Sequence, residues 1–210
     1  MSVKECGDHR EARRKFFRRV IASILVFILI VLITIFLIWA ILRPSKPSFT
    51  LLDTTVYAFN ASAPSLLTSN FQITIRSRNP NDLIGIYYDR LDVYAEYRDE
   101  EITLRCRLPP TYQGYNDVNI WSPFIYGTMV PVAPEYSLAL DAEQAAGSVF
   151  LMIKIGGRLR FRVGAFITGR YHIHISCPAY ITFRGQSDGV LVGENAVKLQ
   201  FVQRCHVSLW

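Results

Sequence analysis

The stretch from Val20 to Leu42 contains no charged residue, no glycine and no proline. At about 1.5 Å per residue, a helix over it spans roughly 34 Å, which exceeds a hydrocarbon core of about 30 Å. A buried helix of a soluble domain would need apolar cover on every side, and a cleavable signal peptide has a shorter apolar run of about 7–15 residues. We therefore predict an uncleaved transmembrane signal anchor over residues 20–42, with the lipid bilayer as its partner.

Beyond its first 19 residues, the chain has little excess of positive charge. Residues 1–19 carry seven Lys or Arg against three acidic residues, whereas the remainder carries 16 against 14. A nucleic-acid-binding domain would show a clustered basic face, so no nucleic acid partner is expected. The positive-inside rule instead predicts a basic cytosolic tail over residues 1–19 and a luminal or extracellular domain over residues 49–210. Between them, residues 43–48 form a proline-rich linker that we expect to be stiff.

Cysteine is also scarce, and the predicted topology divides the four residues. Cys6 lies on the cytosolic side, while Cys106, Cys177 and Cys205 lie on the oxidising side, where disulfides persist. These three allow at most one bridge within the chain, and we predict Cys177–Cys205. By the loop-entropy argument, such a bridge over about 30 residues contributes about 3–4 kcal/mol. A catalytic thiol would need a paired histidine and an activating pocket, and we assign none.

The motifs that mark common enzymes are missing from the chain. It has no P-loop, no Gly-x-Ser-x-Gly elbow and no His-Glu-x-x-His zinc motif. A type II Golgi transferase would share the anchor, but it would need a larger domain and usually an Asp-x-Asp metal motif, which this sequence lacks. We therefore expect a protein that is not an enzyme and that uses no cofactor.

One pair of histidines is a candidate metal site. His172 and His174 stand two residues apart, which places both on one face of a strand. A metal would need a further ligand, and His206 is the only candidate. We interpret the pair as ordinary solvent-facing residues and predict no metal site.

After Pro47 the apolar residues recur at every second position, which is typical of half-buried strands. The predicted strands include Val56–Phe59, Phe71–Arg76, Leu91–Tyr97, Ile102–Cys106, Ser137–Ala142, Val149–Ile155, Leu159–Val163, Tyr171–Ile175 and Lys198–Val207. Roughly eight or nine short strands without a long amphipathic helix indicate an all-β antiparallel sandwich behind the single transmembrane helix.

Several turns follow from local chemistry. Residues 98–100 predict a hairpin turn, and Gly156-Gly157 predicts a second, two-residue one. Residues 141–147 predict a single helical turn capped by Gly147. Residues 185–189 predict a loop, and Tyr180–Phe183 is a candidate extension of the strand before it.

Five blocks of sequence resemble one plant family. They are Leu42–Phe49, Arg78–Asn81, Ile84–Asp89, Thr111–Gly114 and Gly157–Gly164. Together they are similar to the harpin-induced-like family, the relatives of non-race-specific disease resistance proteins that carry a late embryogenesis abundant type 2 domain. Cys177 and Cys205 fall where that family has cysteines, whereas Cys106 lies outside the matched blocks. The motif residues of the turn and the strand after it are Asn79, Pro80, Asn81, Gly85, Tyr87, Tyr88 and Asp89.

The resemblance implies a fibronectin-III-like β-sandwich on a single-pass type II plasma-membrane protein, with plasmodesmata or the endoplasmic reticulum as alternative locations. It also implies a role in the plant response to pathogens, including the hypersensitive response, and no known catalytic centre. We expect a surface interaction or signalling protein with protein partners or self-association, because one helix transmits little by itself. The alternative is an extracellular module that binds lipid or a cell-wall polymer.

Three candidate sites remain on the predicted outer domain. Asn60-Ala61-Ser62 is an N-glycosylation sequon. Asn79-Pro80-Asn81 is interpreted as a structural turn, with a recognition loop as the alternative. The segment 112–121 is predicted to be irregular, with a short strand around Val118 and Ile120. Its Tyr112 and Trp121 are the candidates for exposed contact, because loops on rigid scaffolds carry binding.

Overall fold

The computed structural model describes residues 5–41, 45–62, 65–182, 189–191 and 197–210. The chain divides into two compact units, Met1–Arg43 and Pro44–Trp210. The first contains helix α1, Glu5–Ile41, within which Phe16–Leu37 is long and apolar enough to cross a membrane. The helix therefore includes most of the basic segment before the predicted span, while Leu42 lies outside the described residues.

The second unit is a sandwich of two antiparallel sheets, as the alternating pattern predicts. Its strands are β1 (Ser48–Ser62), β2 (Leu66–Arg78), β3 (Ile84–Tyr97), β4 (Glu100–Glu101), β5 (Cys106–Leu108), β6 (Thr111–Gln113), β7 (Val118–Trp121), β8 (Phe124–Pro131), β9 (Ser148–Val163), β10 (Phe166–Ile167), β11 (Tyr171–Thr182), β12 (Gly189–Leu191), β13 (Val197–Arg204) and β14 (His206–Leu209). Among the described residues, one sheet has six strands in the order β12-β13-β1-β2-β7, with β8 also paired to β2. The other has eight, in the order β14-β11-β9-β3-β4, with β5 and β6 also paired to β3 and β10 to β9.

The core lies between the two sheets. Phe49 of β1 packs against Tyr88 of β3, with ring centroids 6.2 Å apart, so the two sheets meet through aromatic side chains. Ile73 and Ile155, one from each sheet, are fully buried in the same apolar cluster. Burial of this kind contributes about 25 cal/mol per Å² of apolar surface and is the main stabilising term of such a domain.

The strand predicted at Ser137–Ala142 is wrong, because these residues belong to helix α2, Pro134–Ala146. Pro134 begins the helix, where its missing N–H costs nothing. Gly147 ends it in the left-handed conformation, with φ of 97°, and its N–H donates to Glu143 O. The predicted glycine cap is thus confirmed, but the helix before it is longer than one turn. Leu140 is its buried residue, so alternation along this segment was coincidental.

The hairpin predicted at Gly156-Gly157 is also wrong, because β9 runs without interruption through both glycines. Gly157 pairs with Leu91 beside a bulge in β3. A Cβ atom at Gly157 would collide with the carbonyl oxygen of Arg90, so the glycine permits close approach of two strands. By contrast, the turn predicted at residues 98–100 is confirmed, with Tyr97 paired to Glu100. The strand predicted after it at Ile102–Cys106 is wrong, because β4 ends at Glu101 and β5 begins only at Cys106.

The strand predicted at Lys198–Val207 is divided at Cys205. Strand β13 ends at Arg204 in the six-stranded sheet, and β14 begins at His206 in the eight-stranded sheet. Cys205 is therefore the point at which the chain passes from one sheet to the other. Strand β11 extends to Thr182, as predicted from Tyr180, whereas Phe183 and residues 185–188 of the predicted loop lie outside the described residues.

Candidate functional site

The Asn-Pro-Asn segment is a buried structural turn. Asn79 is fully buried, and its Nδ2 donates to Ile84 O at 2.7 Å and to Gly114 O at 2.8 Å. Its Oδ1 accepts from the backbone N and from Nδ2 of Asn81, at 3.1 and 2.8 Å. Asn79 thereby joins the first residue of β3 to the residue that follows β6. Of the three motif residues, only Pro80 is exposed.

Tyr88 of the next motif also faces inward. Its hydroxyl lies 2.9 Å from Ser77 Oγ and donates to Gln113 Oε1 at 2.9 Å. Gln113 in turn donates to the carbonyl oxygens of Ser77 and Asp117. Burial raises the pKa of Tyr88 far above its usual range, so the phenol remains a neutral donor.

Trp121 was predicted to be an exposed contact, and this is wrong. It is 8% exposed, stacks on Phe49 at 6.5 Å and meets the edge of Tyr88 at 5.7 Å. The short strand predicted around Val118 and Ile120 is confirmed as β7, whereas β6 at the other end of the segment was not predicted. Strand alternation in β7 turns Ile120 outward and Trp121 into the core.

Three of the resembling blocks meet on the outer face of the eight-stranded sheet. Tyr87 from β3 lies 4.5 Å from Tyr112 of β6, measured between ring centroids. Strand β9 pairs with β3 on its other side, and places Arg160 opposite Tyr87 and Arg162 opposite Gly85. We call this surface, formed by Gly85, Tyr87, Asp89, Tyr112, Arg160 and Arg162, the tyrosine–arginine face.

The space for Tyr112 on this face depends on Gly85. A Cβ atom at Gly85 would approach Tyr112 Cε2 to 2.8 Å, so the ring would have to move from its present position. Glycine at this position lets the Tyr112 ring lie over the β3 backbone. Tyr112 nevertheless remains 40% exposed, so one side of the ring is open to solvent.

The two arginines are held by different partners. Arg160 donates to both oxygens of Asp89, with Nε–Oδ2 and Nη2–Oδ1 distances of 2.9 and 2.6 Å. Arg162 Nη1 donates to Tyr87 Oη at 3.3 Å, and its guanidinium lies 5.9 Å from the Tyr112 ring centroid. Hydrogen bonding to Asp89 raises the pKa of Arg160, and bonding to Tyr87 raises that of Arg162. The face is therefore aromatic and permanently cationic, with Asp89 fixing its geometry.

Sequence reasoning missed the role of these arginines. The signal was present, because Arg158, Arg160 and Arg162 alternate with apolar residues along one strand. Alternation alone does not say which strand lies beside them, and that neighbour supplies the tyrosines.

The structure joins Cys177 of β11 to Cys205 with an S–S distance of 1.96 Å. Cys106 is a free, half-buried cysteine. Asn60 is exposed near the end of β1, so its side chain is accessible for modification.

His172 and His174 open onto a surface groove of about 310 Å³ above Gly156. His206 of β14 pairs with Ser176, two residues beyond His174 on β11. Within the described ranges, no group of three His, Cys, Asp or Glu side chains is placed to hold a metal ion.

Comparison with known proteins gives the family. Residues 74–178 match the family described as late embryogenesis abundant protein. NDR1/HIN1-like protein 1 of Arabidopsis thaliana is 57% identical over 209 residues, covering 99% of this chain and 100% of that protein. NDR1/HIN1-like protein 12 of the same plant is 55% identical over 210 residues, covering 100% of both.

More distant similarity is consistent with this. NDR1/HIN1-like protein 26 of Arabidopsis thaliana is 39% identical over 154 residues, or 72% of each chain. A crystal structure of a protein from Archaeoglobus fulgidus aligns at 8% identity with a TM-score of 0.32, over 67% of this chain and 98% of its own, which is too low to support an argument. The full-length relatives and the domain match together show that this chain belongs to the NDR1/HIN1-like family of late embryogenesis abundant proteins, which are plant proteins of stress and defence.

Proposed function

We propose that this protein is a single-pass type II protein of the plant plasma membrane that acts in defence as a non-catalytic interaction protein. Its basic N-terminal segment would lie in the cytosol, and its β-sandwich outside the cell. Supporting this orientation, the basic residues concentrate before the apolar part of α1. The family supports a setting in the response to pathogens.

The observation that carries the proposal is the tyrosine–arginine face. Tyr87, Tyr112, Arg160 and Arg162 come from three separate parts of the chain and form one partly exposed surface. Tyrosine and arginine are enriched at the energetic centres of protein interfaces. Rigid strands position all of them, so a partner would meet a preorganised surface.

The alternative, a module that binds lipid between the sheets, finds no support in the described core. Aromatic rings from both sheets are in contact there, with Tyr88 and Trp121 centroids 5.7 Å apart. A lipid chain would have to displace these rings.

The test is proximity labelling in plant cells, with the full chain fused to a biotin ligase after the exposed Trp210. Tyr112→Ala removes a ring of the tyrosine–arginine face, and Tyr126→Ala removes a similarly exposed ring from the other sheet as the matched control. During pathogen challenge, we expect Tyr112→Ala to lose proteins that both the wild type and Tyr126→Ala label. Identical labelling by all three chains would refute this face as the contact surface.

A further inference from the structure

The outer face of the six-stranded sheet carries a second cationic feature, at the end where β1 begins. Arg76 and Arg204 both pair with Thr50, from opposite sides of β1, and Arg78 pairs with Ser48. All three arginines are exposed. They line one cavity of about 580 Å³, which we call the arginine cleft, together with Ser48, Phe49, Thr50, Asn116, Val118 and Cys205.

Within the described part of the chain, no carboxylate lines the arginine cleft, and none of its three arginines makes an ion pair. The carboxylate of Asp82, which lies beside the cleft, accepts a hydrogen bond from Asn116 Nδ2 at 2.6 Å instead. Asp117, beside the cleft in sequence, binds the backbone N–H groups of Gly114 and Val118. This differs from the tyrosine–arginine face, where Asp89 already neutralises Arg160. Like charges gathered on one surface favour an anionic ligand, since the ligand relieves their mutual repulsion.

The spacing of the arginines indicates what kind of anion fits. Arg76 and Arg78 stand two residues apart on one strand, about 6.8 Å along it, and Arg204 lies two strands from Arg76, about 10 Å across the sheet. An extended peptide with acidic residues at alternate positions repeats its carboxylates at the same interval of about 6.8 Å. An extended acidic segment can therefore place one carboxylate at Arg76 and the next at Arg78.

The wall beside the arginines is apolar. Val118 pairs with Arg78 and Ile120 pairs with Arg76, and these two aliphatic side chains are 43% and 59% exposed. The carboxylates of a bound peptide could accept hydrogen bonds from the arginine guanidinium groups. The residues between them could pack against Val118 and Ile120.

We propose that the arginine cleft binds an extended acidic segment of a partner protein, with carboxylates on alternate residues held by Arg76, Arg78 and Arg204. This site lies on the opposite sheet from the tyrosine–arginine face and does not depend on it. The protein would then contact partners through two chemically different surfaces.

The test uses the full chain in nanodiscs of neutral phosphatidylcholine and a short fluorescent peptide that alternates Ser and Glu. Fluorescence anisotropy should show binding that weakens with added salt, and the same peptide with Gln for Glu should bind at least about tenfold more weakly. Arg76→Gln, Arg78→Gln and Arg204→Gln should each weaken binding by roughly fivefold or more. The control, Arg158→Gln, removes the same charge from an exposed position on the other sheet and should leave affinity unchanged.

Three results would overturn the proposal. If the Glu and Gln peptides bound equally well, the peptide's carboxylates would not be what the cleft recognises. If Arg158→Gln lost as much affinity as the cleft variants, the effect would reflect the protein's net charge and not a specific site. Displacement of the peptide by inorganic phosphate, polygalacturonate or phosphatidylserine vesicles at lower concentration than the peptide itself would assign the cleft to that ligand instead. Unchanged thermal melting of each variant shows that the exposed arginines were removed without unfolding.

Discussion

The side-chain amide of Asn81 pairs with both backbone groups of Ser45. Ser45 N donates to Asn81 Oδ1 at 2.8 Å, and Asn81 Nδ2 donates to Ser45 O at 2.9 Å. Asn81 thus binds the incoming chain as a neighbouring strand would, while Asn79 holds Asn81. The motif interpreted from the sequence as a structural turn therefore fastens the start of the domain to its core.

Replacing Asn79 with Ala should destabilise the domain by about 3 kcal/mol or more, because its partners become buried and unsatisfied. The carbonyls of Ile84 and Gly114 lose their donor, and Asn81 loses its acceptor. Urea unfolding followed by tryptophan fluorescence measures the loss. Asn70→Ala, at a half-buried strand position of β2, is the control and should change stability by less than about 1 kcal/mol. Equal effects in the two variants would contradict the structural role.

Alkaline pH should destabilise the domain through buried tyrosines. Burial raises the pKa of Tyr88, and burial with a hydrogen bond to Glu143 raises the pKa of Tyr97 to about 12. The unfolded chain releases these protons near pH 10 while the folded chain keeps them, so their stabilising effect is present below pH 10 and is lost above it.

The expected slope above pH 10 is about 1.4 kcal/mol per pH unit for each such tyrosine. Urea unfolding at pH 9, 10 and 11 measures it. Tyr97→Phe should reduce the slope, whereas Tyr180→Phe, 58% exposed, should not. A flat profile in the wild type would show that these phenols titrate normally.

Removing the disulfide should cost about 3–4 kcal/mol, since Cys177 and Cys205 close a loop over a sequence separation of 28 residues. Cys177→Ser and the double variant with Cys205→Ser should show the same loss in thermal melting. Cys106→Ser should change little, because that thiol is free. Non-reducing mass spectrometry should recover the linked peptides, and free thiols at both positions would refute the bridge.

Glycosylation of Asn60 provides a test of topology. If the sandwich lies outside the cytosol, Asn60→Gln should abolish a glycosidase-sensitive shift in electrophoretic mobility. Protease treatment of intact microsomes should leave the sandwich protected. Its digestion there would reverse the proposed orientation.

The elements predicted well are those with a strong local pattern. The apolar run predicted helix α1. Clean alternation from Phe71 to Ile75 and from Leu91 to Tyr97 predicted two short strands, which the structure extends into the longer β2 and β3. The incorrect predictions concern segments whose local pattern suggests one structure while contacts with distant residues impose another. Gly156-Gly157 has the composition of a turn, but Gly157 serves a close approach to Arg90. Trp121 stands in a segment too short to show which of its alternate residues face inward.

The candidate surfaces depend still more on the fold. The sequence shows Tyr87, Tyr112 and Arg160 in separate blocks. No local pattern indicates that β3 pairs with β6 on one side and with β9 on the other. The arginine cleft likewise requires the pairing of both Arg76 and Arg204 with Thr50.

The amino-acid sequence by itself therefore determined the apolar helix, the β-sandwich class and the family, because composition, periodicity and short motifs are properties of neighbouring residues. Only the tertiary structure decided that the side chains of Asn79 and Tyr88 are buried in the core, while those of Tyr87 and Arg162 lie at the surface. The physical reason is register: a shift by one residue exchanges the two faces of a strand, and register is set by pairing between residues far apart in the chain.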